Sequence, residues 1–417
     1  MIPVGKLKPQ PWFTAAETQA VIGALTAEGA EARFVGGCVR DAVLGRPVKD
    51  VDIATGEPPA EVMRLLDAAG IKVIPTGIDH GTVTAVLNHA HYEITTLRVD
   101  VESHGRHATV AFTDDWMADA SRRDFTINAL FAGPDGLLYD PFGGLADLGE
   151  RTVRFVGDPE RRIREDVLRL LRFFRFFAWY GTAPADAGAL AACAELSHLL
   201  PTLSGERVAG ELLRLLGAPD PAPVLALMAG DGVLTHVLPE AQAIDRLAAL
   251  VTVEGICDGA DPLRRLAVTL KTDAAGADAI GRRLKMSNAQ RARLVKIAVP
   301  AEMPEPDAPE RAHRAALYRL GAETYRDLVL RAWAEAIATG VTVDRRATEA
   351  WQAAYALPER WTPPAFPLKG RDARAFGVSA GPRVGELLEE VEAWWREGDF
   401  AADREACLAE LRRCATA

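Results

Sequence analysis

The chain has 417 residues, 49% of them hydrophobic and 25% charged, with a formal net charge of −10. That length exceeds what one ordinary hydrophobic core serves, so two or more domains are expected, of soluble globular composition. No run approaches a membrane span, the five cysteines are scattered with no C-x-x-C pair, and the acidic balance argues against a surface coated everywhere for nucleic acid.

The opening MIPVGKLKPQPWF has no apolar core of signal-peptide length, which predicts a cytoplasmic protein. Phe34 and Val35 read as a strand end, Gly36-Gly37 as a tight turn, and Val39, Ala42 and Val43 as the buried stripe of a helix stopped by Gly45. A glycine turn opening a helix offers free backbone N–H groups to anions, and Arg40 in the first turn adds a cation. Next, Asp50 and Asp52 lie two apart on a β-branched run, so both point to one face while Val51 and Ile53 point to the core. Two adjacent carboxylates repel unless a cation sits between them, and magnesium takes one or two carboxylates plus phosphate oxygens and water. Together the two halves predict a phosphate cradle beside a metal site.

Further along, a helix is expected from Pro59 to Ala69, and strands at ARFV, DVDIAT, IKVIP, TVTAVL, YEITTLRV, LLYD and RTVRFV, with a hairpin around Asn88 to His91. RRDFTINAL reads as a helix in which Asp124 and Asn128, four apart, share a face. After Asp158 the periodicity is helical, as in Ile163, Val167, Leu170, Leu171, Phe174 and Phe177. Within it, Glu165-Asp166-x-x-Arg169 puts Asp166 and Arg169 on one helix face. Arginines crowd the stretch from Arg151 to Tyr180. A second basic stretch, Arg282 to Lys296, reads either as an RNA face or as solvated helix surface. Proline-rich breaks at 300–309 and 357–367 look like hinges between helical subdomains. The expected division is a head at 1–156, a neck at 157–220, a body at 221–300 and a tail at 301–417.

GGCVRD followed by DVDIAT resembles the first signature of the class II template-independent RNA nucleotidyltransferases, the group of tRNA CCA-adding enzymes and bacterial poly(A) polymerases. TGIDHGTVTAV, YEITTLR, RRDFTINAL, DPFGGLADL and RIREDVLRLLRFFRF follow in family order, densely over residues 30 to 180. FPLKGRDARAFGVSAGPRVGELL, at 366–388, is similar to a tail segment of the same family.

The resemblance implies an α+β, polymerase-β-like nucleotidyltransferase head with a mixed or antiparallel sheet, followed by an all-α neck, body and tail. It implies attack of an RNA 3′-hydroxyl on the α-phosphate of CTP or ATP, with two Mg2+ ions on Asp50 and Asp52 and Glu93 as third catalytic carboxylate. No Walker A sequence is present, so the Gly36-Gly37 turn, Arg40 and other arginines must hold the triphosphate. Arg123 is implied for phosphate, Asp124 and Asn128 for the ribose side, and Arg172 for nucleotide binding. Asp166 and Arg169 would read the edges of cytosine and adenine, with Glu165 orienting Arg169; both bases carry an amine where uracil and guanine carry a carbonyl.

The partner implied is tRNA, recognised by shape through neck and tail, with no membrane and no obligate protein partner inferred. The segment 99–114 would correspond to the family's mobile loop for switching from C to A. Its presence speaks against a CC-only enzyme, and the absence of a G-R-R signature after the D-x-D strand favours CCA addition over poly(A) synthesis. A CC-adding or A-adding enzyme, and a catalytically inactive RNA-binding protein, are the alternatives.

Overall fold

A computed structural model describes residues 1–104, 107–257 and 259–416, with side chains described outside 100–110. The chain divides into two compact units, Met1–Pro239 and Glu240–Ala417.

Among its described residues the first unit is built on ten strands: β1 (Gly5–Lys6), β2 (Ala32–Val35), β3 (Val51–Thr55), β4 (Lys72–Gly77), β5 (Thr82–Leu87), β6 (Ala90–Thr96), β7 (Arg98–His104), β8 (His107–Phe112), β9 (Phe131–Ala132) and β10 (Leu137–Tyr139). Eight form one sheet in the order β1-β10-β9-β2-β3-β6-β5-β4, antiparallel throughout except where β3 runs parallel to β6. The mixed α+β head expected from the sequence is therefore the observed one.

Period-two burial fixes which residues leave the core: Val51, Ile53, Tyr92 and Ile94 are buried, while Asp52 and Glu93 between them reach toward solvent. The β5–β6 hairpin turns on Asn88 and His89, both at positive φ, with Leu87 opposite Ala90. That is a two-residue turn whose twist suits adjoining strands.

Helices in this unit are α1 (Pro11–Thr14), α2 (Ala16–Thr26), α3 (Gly37–Val43), α4 (Pro59–Ala68), α5 (Trp116–Ser121), α6 (Gly144–Glu150), α7 (Pro159–Glu165), α8 (Leu168–Tyr180), α9 (Ala187–Leu196), α10 (Gly205–Leu216), α11 (Ala222–Gly230) and α12 (Val233–Val237). α4 begins with proline at its first position and buries Val62, Leu65 and Leu66 at three and four spacing. α8 is fastened to the head by rings: Phe125 meets Phe155, Phe173 and Phe176 at centroid separations of 4.8, 6.4 and 5.2 Å. Such contacts add about 0.5–1.5 kcal/mol each beyond area burial.

Several local expectations give way. The polar segment 99–114, expected as a loop, has its backbone paired as β7 against β8, and residues 105 and 106 lie outside those described. Its alternating β-branched residues outweigh its polar composition. RTVRFV is no strand; only Phe155 bridges, antiparallel, to Phe125. RRDFTINAL is no α-helix: Thr126–Asn128 make a single 3-10 turn, and Phe125 precedes it in extended chain. The long helix expected through Ile163 to Phe177 breaks at Asp166, whose φ and ψ of −149° and 107° are extended, so Asp166 and Arg169 do not share a helix.

The second unit is helical, opening with α13 (Ile244–Cys257), α14 (Pro262–Thr269), α15 (Ala274–Arg283), α16 (Asn288–Ala298), α17 (Glu310–Leu320) and α18 (Ala322–Ala338). Buried ion pairs knit it: Glu254 on α13 accepts from Arg264 and Arg265 on α14, and Asp327 on α18 accepts from Arg264 and from Arg293 on α16. Charges this deeply buried persist only when paired. In the basic stretch 282–296 the arginines also meet acids of this unit, at more exposed positions: Arg282 and Arg291 meet Asp278, and Arg283 meets Glu240. A C-terminal cluster packs Leu387, Val391 and Trp395 against the thiols Cys407 and Cys414 and Leu411. The five cysteines are unpaired by disulfides.

Candidate active site

The parallel register of β3 on β6 places Asp52 directly beside Glu93, on strands that lie about 4.8 Å apart. Asp50 immediately precedes β3 and is exposed. Burial, reinforced by Glu93 and Asp50, pushes the Asp52 carboxyl up to about 6 against the pull of Arg123 and Arg40. Asp52 and Glu93 thus stand side by side, near the start of β3 and in the middle of β6, with Asp50 just before β3.

Above them β2 ends in the glycine turn. Gly36 has φ of 72°, which calls for glycine; a Cβ there would meet the Arg123 guanidinium at 3.5 Å and the Asn128 carbonyl oxygen at 3.6 Å, ordinary contact, so the conformation rather than the space decides. Gly37 opens α3, and Cys38 behind it is inert, its thiol pushed up to about 12 by burial. Arg40 is buried: it donates to Asn128 Oδ1 at 2.6 Å and to both oxygens of Asp41, and its guanidinium lies 4.2 Å over the Tyr180 ring. Much of its donor capacity is committed to protein, so its service to an anion is largely as charge.

Asp124 donates nothing and accepts three times, from the Phe125 N–H, from Asn128 Nδ2 at 3.0 Å and from Arg172 Nε at 2.7 Å. Burial works to raise its carboxyl, but Arg172, Asn128 and that N–H outweigh it and hold it at about 2. The pairing of Asp124 with Asn128 anticipated from helical spacing is therefore met through a 3-10 turn. What shapes that turn lies downstream. Thr126 and Asp124 exchange backbone hydrogen bonds with Arg154 and Val156, and the Thr126 hydroxyl donates to Asp147 at 2.6 Å. Gly144 presses against it so closely that a Cβ would sit 2.3 Å from the Thr126 carbonyl oxygen. Asp140 accepts from the Gly144 and Leu145 N–H groups. DPFGGLADL is thus the clamp on RRDFT.

Asp119, 1% exposed, grips both arginines of that motif, Arg122 at 2.6 Å and Arg123 at 2.8 Å. The two arginines hold its carboxyl below the usual range despite burial. The backbone of the same pair receives the neck: Arg169 donates to the Arg122 carbonyl at 3.0 Å and Arg162 to that of Arg123 at 2.7 Å. Glu165 accepts from Arg162 at 2.5 Å and Arg169 at 2.7 Å, so it does fix the Arg169 side chain. Asp166 instead faces α10, where Arg207 Nη2 lies 2.9 Å from each of its oxygens, and its Oδ1 also accepts from the Leu168 N–H.

Beside the aspartates opens a cleft of about 460 Å³ lined by Gly37, Arg40, Arg46, Lys49, Trp179 and Tyr180 among others. Arg46 donates to the Trp179 carbonyl and lies 4.6 Å over Tyr180. Lys49 and Arg46 offer cationic surface next to Asp50, room suited to a phosphate-bearing ligand. Sequence reasoning missed Asp119, Arg162 and Arg207. Asp119, three and four residues before adjacent arginines, and Arg162, three before Glu165, had a local signal; Arg207 had none.

Residues 32–154 match a family model described as "Poly A polymerase head domain", and residues 186–244 one described as "Probable RNA and SrmB- binding site of polymerase A". The chain is 33% identical over 401 residues to "CCA tRNA nucleotidyltransferase 1, mitochondrial" of Mus musculus, spanning 93% of this chain and 87% of that protein. It is 32% identical over 402 residues to the "CCA-adding enzyme" of Streptococcus gordonii, spanning 95% and 96%. The solved Bacillus stearothermophilus CCA-adding enzyme in complex with CTP superposes with a TM-score of 0.79 at 29% identity, over 97% of this chain and 98% of that one.

Proposed function

Because the chain belongs to the CCA-adding tRNA nucleotidyltransferases, we propose that it completes the tRNA 3′ end, adding C, C and A in turn from CTP and ATP with release of pyrophosphate. The observation that carries this reading is the placement of Asp52 beside Glu93 on parallel strands, next to the glycine turn, in a chain matched along nearly its whole length by CCA-adding enzymes.

In the reaction the 3′-hydroxyl oxygen of the RNA bonds to the α-phosphorus of the nucleotide. The bond from that phosphorus to the α–β bridging oxygen breaks, pyrophosphate departs, and the hydroxyl proton passes to water or a carboxylate. Asp50 and Asp52 are assigned to hold Mg2+, two ions as this reaction class uses. Their oxygens are hard donors, and a cation there would offset the burial and the Glu93 and Asp50 charges that raise the Asp52 carboxyl. Among the described residues no three carboxylate, histidine or cysteine groups could hold an ion by themselves, so phosphate oxygens and water are needed to complete its shell. Bound there, magnesium supplies charge neutralisation at the phosphate and a more acidic attacking hydroxyl.

Gly36 and Gly37 let the triphosphate approach the backbone, Arg40 and Arg123 contribute charge, and Asp124, Asn128 and Arg172 order the sugar side. Glu93 orients the hydroxyl or supports Asp52. Asp166 accepts the exocyclic amine of cytosine or adenine, and Arg169, fixed by Glu165, donates to the ring. The head at 1–156 is assigned to chemistry, the neck at 157–220 to base reading and the tail at 301–417 to tRNA binding, with the helical body at 221–300 between them. A cytoplasmic location belongs to the same proposal; among the described residues no helix is long and apolar enough to cross a membrane.

The test supplies labelled CTP and ATP, separately and together, to tRNA ending at the discriminator base, with magnesium and an unrelated RNA as control. Ordered addition of two C and one A confined to tRNA is expected. A alone on any RNA means a poly(A) polymerase, C alone a CC-adding enzyme, and no incorporation an inactive RNA-binding protein.

A further inference from the structure

We propose that Arg207, on α10, is a positioning residue for nucleotide choice: it sets the plane of the Asp166 carboxylate so that only lone pairs face the incoming base. The inference rests on the assignment of Asp166 as the reader of the exocyclic amine.

Asp166 does not sit on a helix that would fix it. It occupies the break between α7 and α8, in extended backbone, about a quarter exposed, where a carboxylate is free to turn unless something holds it. Two groups do. The Leu168 N–H donates to Oδ1 at 3.1 Å, and Arg207 Nη2 lies 2.9 Å from both Oδ1 and Oδ2. Arg169, the neighbour that spacing would pair with it, is committed to Glu165, to the Arg162 carbonyl and to the Arg122 carbonyl.

One arginine nitrogen bridging both oxygens pins the carboxylate plane while leaving other lone pairs open, since a carboxylate offers about four acceptor sites. An acceptor so fixed welcomes the N4 amine of cytosine or the N6 amine of adenine and repels the carbonyl oxygen that uracil and guanine present there. Released from Arg207, the carboxylate can rotate away and let the carbonyl bases in. The anchor comes from 41 residues downstream. It is itself steadied, since Glu211, one turn along α10, accepts from Arg175 of α8 at 2.5 Å.

The experiment measures kcat/KM for CTP and for UTP, separately, on tRNA ending at the discriminator base, for the full chain and its variants. Arg207→Met keeps the apolar stem and removes the donor; the CTP-to-UTP ratio is expected to fall about tenfold, the worth of one oriented charge-assisted hydrogen bond. Because a single nitrogen makes the contact, Arg207→Lys is expected to restore most of the ratio, which a purely structural loss would not predict. Arg207→Gln, whose amide falls short, replaces the methionine variant if that one does not fold. Equal loss for CTP and UTP with the ratio unchanged overturns the inference. Asp166→Ala separates the two levels. If it too leaves the ratio unchanged, base reading by Asp166 has failed; if it relaxes the ratio while Arg207→Met does not, only the role of Arg207 has failed.

Discussion

Asp52→Asn should abolish nucleotide incorporation and at the same time stabilise the metal-free protein. The Asp52 carboxyl is raised from 3.8 to about 6, first by burial and then by Glu93 and Asp50. Each unit corresponds to about 1.4 kcal/mol, so the full shift is about 3 kcal/mol. Water reaching the partly exposed side chain reduces this to about 1–3 kcal/mol. The folded value lies above the unfolded one, so the group favours folding below about pH 4 and loses that contribution as pH rises through 6. An asparagine of the same shape carries no such loss.

In EDTA, therefore, the variant and the parent should have similar unfolding midpoints near pH 4, and the variant should lead by a few degrees at pH 7 and above. Scanning calorimetry across that range gives the gap directly. Magnesium should narrow it, because a cation that binds the native carboxylates stabilises only the parent. A gap that is independent of pH, or a variant less stable than the parent at pH 7, refutes the account of Asp52 as a buried carboxylate strained by its neighbours.

Three further outcomes are expected. Gly144→Ala would force a Cβ to within 2.3 Å of the Thr126 carbonyl; a loss of about 1–3 kcal/mol in denaturant unfolding is expected, and an unchanged midpoint would mean the DPFGGLADL clamp yields freely. Asp119→Asn removes the shared anion from Arg122 and Arg123. It should lower kcat at least about tenfold while KM for tRNA changes little, whereas a loss confined to KM would place Asp119 outside the catalytic framework. Asp327→Ala leaves Arg264 and Arg293 short of a buried partner. About 3–5 kcal/mol of unfolding free energy should go, and a loss below 1 kcal/mol would mean that water or Glu254 takes over.

Where short-range geometry decides, the sequence was readable. The turn at Gly36-Gly37, the alternation around Asp50 and Asp52, and the proline start of α4 each follow from conformational preferences of a few adjacent residues, and the structure has them in place. Asp124 and Asn128 were read as neighbours for the wrong reason. Four-residue spacing suggested a helix, but Phe125 pairs with Phe155, thirty positions on, and packs on Phe173 and Phe176. Asp166 was likewise assigned to a helix and to Arg169, because nothing nearby announces a break or reveals Arg207. The basic stretch after Arg282 carried the same ambiguity, since the acids that meet Arg283 and Arg291, Glu240 and Asp278, lie 43 and 13 residues before them. Pairwise contacts at long separation leave no periodic trace.

The ring contacts between Phe125 and α8 bear on how such a catalyst can be cut and recombined. A fragment ending near residue 156 would bare Phe125 and Phe155 to water and strip Arg122 and Arg123 of the arginines that lean on their carbonyls. These attachments lie inside the compact unit that runs to Pro239. Anyone grafting nucleotide preference from one relative to another must therefore carry the strands and the base-reading helices as a single block, and exchange partners beyond it.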